Sequence, residues 1–347
     1  IESGQYNRPQ PIGDPVNTLD NEGASFVSPD GRYILFTGCN RDDGYGSCDI
    51  YITVKRDNEW LIPKNLGKNV NSRFWESRPV ISSDGTRLYF SSNRPGGYGK
   101  ADIYFCNLAG YDTEGFPVWN TPQNLGKIIN TEGDEMAPFI HPDNKTLYFS
   151  SDFHTGMGRQ DLFKSVFVDG KWSKPINLGY PINSCQTEIS IFVQSNRSSA
   201  FIEKEIGFEK QRDIFCFELP KPLQAGKATY VRGKVVDKET KFPLCAIIDL
   251  NDFHDSSSTI NLSSNSAGEF LIALVAGKTY GLTVDKSGYL FYSDHFIIDN
   301  ENIDSYDLYI ELEPIKIGSK TILNNVFFET DSYVLSVDSK SELDRIV

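Results

Sequence analysis

Carboxylates recurring at one spacing are the first residues in this chain that could do chemistry. Asp49, Asp102 and Asp161 each follow a Gly-x-x and precede apolar residues, and Asp213 occupies the corresponding place further on. Glu22, Glu76, Glu135 and Glu188 form a second such set. Either set can be read as ligands for a cation or as acid–base groups. The other reading is structural: the aspartates cap loop amides at strand starts, and the glutamates make turn and inter-strand hydrogen bonds rather than ringing a central channel. Recurrence favours the structural reading, because a catalytic constellation draws unlike residues from unlike elements. Arg41 and Arg94 open two Gly-rich loops, and with Tyr45 and Tyr98 they form a candidate polar, aromatic face for a peptide or glycan; the alternative is that they hold the loop shape. Cys39 and Cys48 flank the loop from Asn40 to Ser47, where adjacent hairpin strands come within disulfide reach, so they are predicted to be bridged. The other four cysteines read as mostly buried thiols. His141, His154, His254 and His295 are scattered, and His141 stands in a turn slot filled elsewhere by Ser, which reads as a surface position. There is no Gly-x-Ser-x-Gly elbow, phosphate loop, HExxH or CxxC. No catalytic residue, metal or cofactor is therefore assigned, and the chain reads as non-enzymatic.

The elements that position these residues repeat. Asp30, Asp84, Asp143 and Asn196 follow one another at steps of 54, 59 and 53 residues, each of the first three within a Ser/His-x-Asp-Gly/Asn turn that precedes an apolar run such as Leu88-Tyr89-Phe90. Asn-Leu-Gly occurs at Asn65–Gly67, Asn124–Gly126 and Asn177–Gly179, and four residues after each Gly stands Asn71, Asn130 or Asn183. Five residues beyond each Asn comes the glutamate, and a Trp (Trp60, Trp119, Trp172) lies ahead of each Asn-Leu-Gly. Each unit reads as four short antiparallel strands, which is one propeller blade. The fold class expected over residues 1–220 is thus an all-β propeller of four blades or more.

The last unit stops after its third strand, near Phe217, while Pro11-Ile12-Gly13 with Asn17 and Glu22 occupies the missing register at the other end of the segment. Residues 9–14 are accordingly expected to pair beside Asp213–Phe217 and close the ring, removing two exposed sheet edges. The Ser-x-Asp-Gly-x-x-Leu-x-Phe-Ser-Ser-x-Arg pattern, clearest from Ser82 to Arg94, resembles the WD-like propeller repeats of TolB-type bacterial envelope proteins.

Composition narrows the partners. With 34 Lys+Arg against 47 Asp+Glu the formal charge is -13, which repels phosphate backbones and anionic lipid, so nucleic acid is excluded as a partner. From residue 229 onward 19 Asp+Glu face 10 Lys+Arg, so most of this acidity sits there. The longest apolar stretch, Phe270 to Ala276, falls far short of the ~20 residues that cross a bilayer, so no transmembrane segment is predicted.

Residues 221–228 read as a linker. Beyond it Val231 to Asp237, Pro243-Leu244, Ser266 to Phe270 and Gly288-Tyr289 form short strands with turn residues between them. Over 229–314 this resembles the carboxypeptidase-regulatory-like family, a transthyretin-type β-sandwich whose members serve as spacers or interaction modules. Residues 315–347, with Asn324 to Ser332 and the helix-like Ser339 to Ile346, resemble the start of an OmpA-C-terminal-like α/β domain. That family's Asp and Arg for peptidoglycan lie downstream of this strand and helix, past Val347, so no peptidoglycan-binding residue is assigned within the chain. In this order the three segments resemble the PorE-like periplasmic components of the Bacteroidota type IX secretion system. The resemblance implies a periplasmic, outer-membrane-associated scaffold that ties a secretion or gliding complex to peptidoglycan, with other envelope or secretion-system proteins as partners. The alternative is a propeller that binds or cleaves an oligosaccharide or peptide.

Overall fold

The structure is a computed structural model that describes residues 8, 10–56, 59–195, 198–206, 211–253, 255–299, 305–318, 324–326, 333–335, 339 and 343. The described residues form an all-β protein of two compact units that divide near Leu223.

The first unit holds four repeats of one sheet pattern. Repeat one is a meander of β1 (Asn21–Val27), β2 (Tyr33–Cys39) and β3 (Cys48–Arg56), to which the two-residue strands β4 (Glu59–Trp60) and β5 (Lys64–Asn65) add on the β3 side. Repeat two comprises β6 (Glu76–Ile81), β7 (Arg87–Ser92), β8 (Asp102–Tyr111), β9 (Pro117–Trp119) and β10 (Gln123–Asn124). Repeat three comprises β11 (Glu135–Ile140), β12 (Thr146–Ser151), β13 (Asp161–Val168), β14 (Lys171–Trp172) and β15 (Ile176–Asn177). Repeat four has β16 (Glu188–Val193), β17 (Ser199–Ile206) and β18 (Gln211–Glu218).

Local chemistry explains each hairpin. Asp30, Asp84 and Asp143 accept the amide two residues on at 3.0, 2.9 and 3.0 Å, which holds the turn between the first and second strands. The next turn position is left-handed, φ 68° at Gly31 and 56° at Asn144, which is why Gly or Asn stands there. The middle strands β7 and β12 are buried on both faces because each sheet is covered by its neighbours. Leu35, Ile50 and Ile52 of repeat one share a core with Leu88, Phe90 and Tyr104 of repeat two, whose Tyr89 and Ile103 in turn pack with Leu147, Phe149 and Phe163 of repeat three. That burial accounts for runs such as Leu-Tyr-Phe-Ser-Ser, which lack the simple alternation of a half-exposed strand.

Three expectations are corrected. Residues 10–14 form no strand, and among the described residues nothing pairs with the outer edge of β18; residue 9 and the turn Asn196 lie outside the described residues. Lys221–Leu223 is not free linker but a docked turn of 3-10 helix: Tyr148 Oη donates to Leu223 O at 2.7 Å and Lys164 Nζ to Pro222 O at 3.3 Å. His141 is fully buried rather than a surface residue, its Nδ1 accepting the Asp143 amide at 3.1 Å, because the Ser slot it fills is itself buried by the turn.

The second unit is a sandwich. One sheet orders β22 (Glu269–Val275), β19 (Ala228–Asp237) and β25 (Ser305–Leu312), with β19 and β25 parallel; the other orders β21 (Asp255–Ser263), β20 (Ile247–Asp252), β23 (Lys278–Asp285) and β24 (Tyr292–Ile298). Val231, Val235, Ile272 and Ile310 of the first face Ile248, Leu250, Leu282 and Phe296 of the second. Of residues 315–347, expected from sequence to open an OmpA-type domain, most of the stretch from 319 onward lies outside the described residues, but Asn325 Nδ2 donates to Ser293 Oγ at 2.8 Å and Asn324 Nδ2 to Ser293 O at 2.7 Å, attaching that segment to β24.

The asparagine four residues after each Asn-Leu-Gly is the tie that joins one repeat to the next. Asn130 Oδ1 accepts the Ile103 amide at 2.8 Å and its Nδ2 donates to Ile103 O at 2.9 Å, both out of water, and to the half-buried Asn124 Oδ1 at 2.8 Å. Asn130→Ala strands a buried amide, so it is expected to cost about 3 kcal/mol, read as a lower denaturant midpoint at unchanged slope.

Candidate functional site

At the loop end of repeats one to three stand the strand-start aspartate and, on the first strand of the same repeat, a glutamate with Arg41, Arg94 or His154 beside it. Asp49 accepts the amides of Tyr45 and Gly46, Asp102 those of Tyr98 and Gly99, and Asp161 those of Met157 and Gly158. These three are 1–2 % exposed. Small residues are required here, since a Cβ on Gly99 would meet Thr131 O at 2.3 Å and one on Gly46 would meet Phe74 O at 1.9 Å. The aspartates therefore shape the loops.

The glutamates are likewise spent inside the fold. Glu76 accepts Ser72 N and Oγ at 2.7 Å each and Ser92 Oγ at 2.7 Å; Glu135 accepts Thr131 N and Oγ1 at 2.6 Å and Ser151 Oγ at 2.6 Å. Both are fully buried. A buried carboxylate needs such donors to offset desolvation. In Glu135 burial wins over those hydrogen bonds and the nearby His154, holding the carboxyl above its ordinary value of 4.5.

Arg41 and Arg94 complete the same arrangement. Arg94 Nη2 reaches Glu76 Oε1 at 3.1 Å and Val70 O at 2.6 Å, and its guanidinium lies 5.3 and 5.1 Å from the ring centres of Phe90 and Tyr104. Arg41 Nη1 reaches Glu22 Oε1 at 3.3 Å over Phe36 and Tyr51. In repeat three His154 takes this place, Nε2 facing Ile129 O at 2.9 Å and the ring packed on Phe149 and Phe163. The structure thus turns both arginines inward, their side chains 14 and 16 % exposed, and leaves Tyr45 and Tyr98 half exposed on separate loops. Cys39 and Cys48 face each other across β2 and β3 and are bridged. Of the remaining cysteines only Cys106 is buried, its thiol pushed up to about 12 by burial, while Cys185, Cys216 and Cys245 are exposed.

Open to a ligand is a cleft of about 470 Å³ between β5 and the β8–β9 ribbon, lined among others by Tyr45, Lys64, Lys68, Asn69, Phe116 and Trp119. Lys64 is fixed over the Phe116 ring by Asp112 and Glu114, both at 3.1 Å. Trp119 is buried and its Nε1 has no hydrogen-bond partner among the described residues. Only Tyr45 of the sequence candidates lies here, since the cleft depends on the long β8–β9 ribbon of repeat two, which brings Phe116 and Trp119 beside a strand of another repeat. Among the described residues no three His, Cys, Asp or Glu side chains gather as metal ligands do.

No protein-family model matches the chain, and no curated protein matches it. Among solved structures it is similar to a TolB from Agrobacterium tumefaciens, at 14 % identity and TM-score 0.35, covering 72 % of each chain. It is similar also to a prolyl endopeptidase (13 %, TM-score 0.35, 78 % of this chain and 32 % of that one) and to the hydrazine synthase of Kuenenia stuttgartiensis (10 %, TM-score 0.34, 84 % and 62 %). The chain spans less than two thirds of the length of the last two. At these identities and TM-scores the likenesses assign neither a family nor an activity. Among the described residues no helix is long and apolar enough to cross a membrane.

Arg94→Ala leaves the Glu76 carboxylate buried without its cation and is expected to cost about 3 kcal/mol, whereas Tyr98→Ala stays within about 0.5 kcal/mol in the same melts. Because the folded Glu135 holds its proton more tightly than the unfolded chain, its contribution is present below about pH 4.5 and lost as pH rises through the higher folded value. The stability of the native chain relative to Glu135→Gln should therefore fall as pH rises from 4 to 7, measured by urea titration.

Proposed function

We propose that the chain is a non-enzymatic scaffold of the bacterial envelope. Its first unit is a β-propeller with four blades per chain that serves as a protein-docking platform, and its second a carboxypeptidase-regulatory-like sandwich leading into an OmpA-type anchor for peptidoglycan. The observation that carries this reading is the fate of the charged residues. The three strand-start aspartates and the four glutamates, with Arg41 and Arg94, are hydrogen-bonded or ion-paired within their own repeats in one recurring pattern. Groups so committed hold loops in place and leave their outer surfaces to contact a partner. The order of segments, with its resemblance to PorE-like proteins, supports the periplasm and the type IX secretion or gliding machinery as the setting.

A second reading, a propeller that binds an oligosaccharide or peptide, is favoured by the cleft at Tyr45, Phe116 and Trp119. Affinity capture with the full chain from detergent-solubilised envelope separates the two. Stable recovery of other secretion or gliding components, unchanged by Trp119→Phe, is the expected result. Retention of glycans that this substitution abolishes would replace the scaffold reading by the second.

A further inference from the structure

Repeats one to three finish the outer edge of their third strand in one way. On β3, β8 and β13 the slot asparagine faces Tyr51, Tyr104 or Phe163, and the residue before it faces Ile52, Phe105 or Lys164. The following Leu N–H donates to Ile50, Ile103 or Leu162 O at 3.0, 3.1 and 3.0 Å. The side-chain amide of Asn71, Asn130 or Asn183 then bonds both the N–H and the C=O of that same residue at 2.8–2.9 Å. The residue so gripped is fully buried in all three.

In β18 the register set by Asp213 places Ile214 at the gripped position, with Phe215 and Cys216 beyond it. No strand lies on that edge among the described residues: Ile214 is 77 % and Phe215 41 % exposed, and Cys216 is exposed. The opposite end of the array carries the missing half. Gly13 is left-handed at φ 86°, as Gly67, Gly126 and Gly179 are, and its carbonyl accepts Val16 N and Asn17 N just as Gly67 O accepts Val70 N and Asn71 N. Thr18 N and Oγ1 donate to Glu22 as Ser72 does to Glu76. Yet Asn17 grips no strand; its Oδ1 accepts only Gly13 N, at 3.0 Å. The strand that follows, β1, is largely exposed where β6, its counterpart in repeat two, is buried.

The repeat array therefore has a seat without its strand at β18 and a strand without its seat at Gln10–Asn17, and among the described residues no sheet pairing joins the two. We propose that they meet between two copies: Gln10–Asn17 of one chain seats on β18 of a second, Gln10 opposite Cys216, Pro11 opposite Phe215, the Ile12 N–H on Ile214 O and the Asn17 amide on Ile214 N–H and C=O. Pro11 fits because its slot is a non-hydrogen-bonded pair, in which the strand needs no N–H. The contact is head to tail, so reciprocal exchange between two copies closes both pairs of open ends, and the apolar edge of β18 is covered. This inference rests on the repeat geometry alone and stands whichever function is correct.

The test uses the full chain with the single substitution Gln10→Cys and the native Cys216. A hydrogen-bonded antiparallel pair sits at about 5.5 Å between Cα atoms, within the range a disulfide spans. Purification without reductant should yield a covalent dimer whose cross-linked peptide joins the introduced thiol to Cys216 of another chain, absent when Cys216→Ser is added. The native chain should scatter light at twice the monomer mass, and Asn17→Ala, at a position that holds no strand in the single chain, should weaken association roughly tenfold or more. A monomer bearing that cross-link within one chain overturns the proposal in favour of self-closure, and a monomer with both thiols free overturns it outright.

Discussion

A side-chain amide gripping the backbone of a neighbouring strand is the interaction on which the first unit depends. Asn71, Asn130 and Asn183 each satisfy the amide N–H and the carbonyl of one completely buried residue on a third strand, and each is itself held by the asparagine of the Asn-Leu-Gly segment. This is how a two-residue outer strand, far too short to be stable by its own ladder, stays in place. It also directs the chain: the left-handed glycine turns it from the outer edge of one sheet to the first strand of the next, so the same atoms that close one repeat aim the following one. The glutamate five residues after each asparagine secures that entry by accepting the Ser or Thr amide and hydroxyl four residues behind it.

Built on that tie, the loops become rigid at the cost of their charged groups. Aspartates that could have bound a cation cap loop amides, and arginines that could have met a ligand lie across paired aromatic rings with a glutamate beneath. Cation–aromatic and ion-pair contacts reinforce each other here because both are shielded from water. Among the groups left exposed are the Tyr45 and Tyr98 tips and the cleft beside Trp119.

Legibility in the sequence followed locality. The repeats could be read because each Asp-Gly turn, Asn-Leu-Gly segment and asparagine is a short-range device whose partners lie at constant offsets, and the Cys39–Cys48 bridge because both ends belong to one hairpin. His141 was misread because a turn slot looks polar and exposed in sequence, while burial of that slot comes from packing. The arginines were open to two readings for a similar reason: a basic residue in a Gly-rich loop has no sequence mark for inward or outward. Cys216 reads as one more core thiol until β18 is seen to be an uncovered edge.

By itself the sequence determined the repeats, their first three strands, the turn chemistry and the change of character near residue 221, since all of these are written in backbone preferences and spacings of a few residues; it read four strands per unit where repeats one to three have five, because the Trp and Asn-Leu-Gly segments add to the third strand as two separate strands of two or three residues. Only the tertiary structure decided which charged groups are consumed, where a cleft opens and that, among the described residues, no sheet pairing joins the two ends of the array. These depend on distances between residues tens of positions distant, such as Lys64 and Asp112 at 3.1 Å, and on how sheets cover one another, which no local periodicity records.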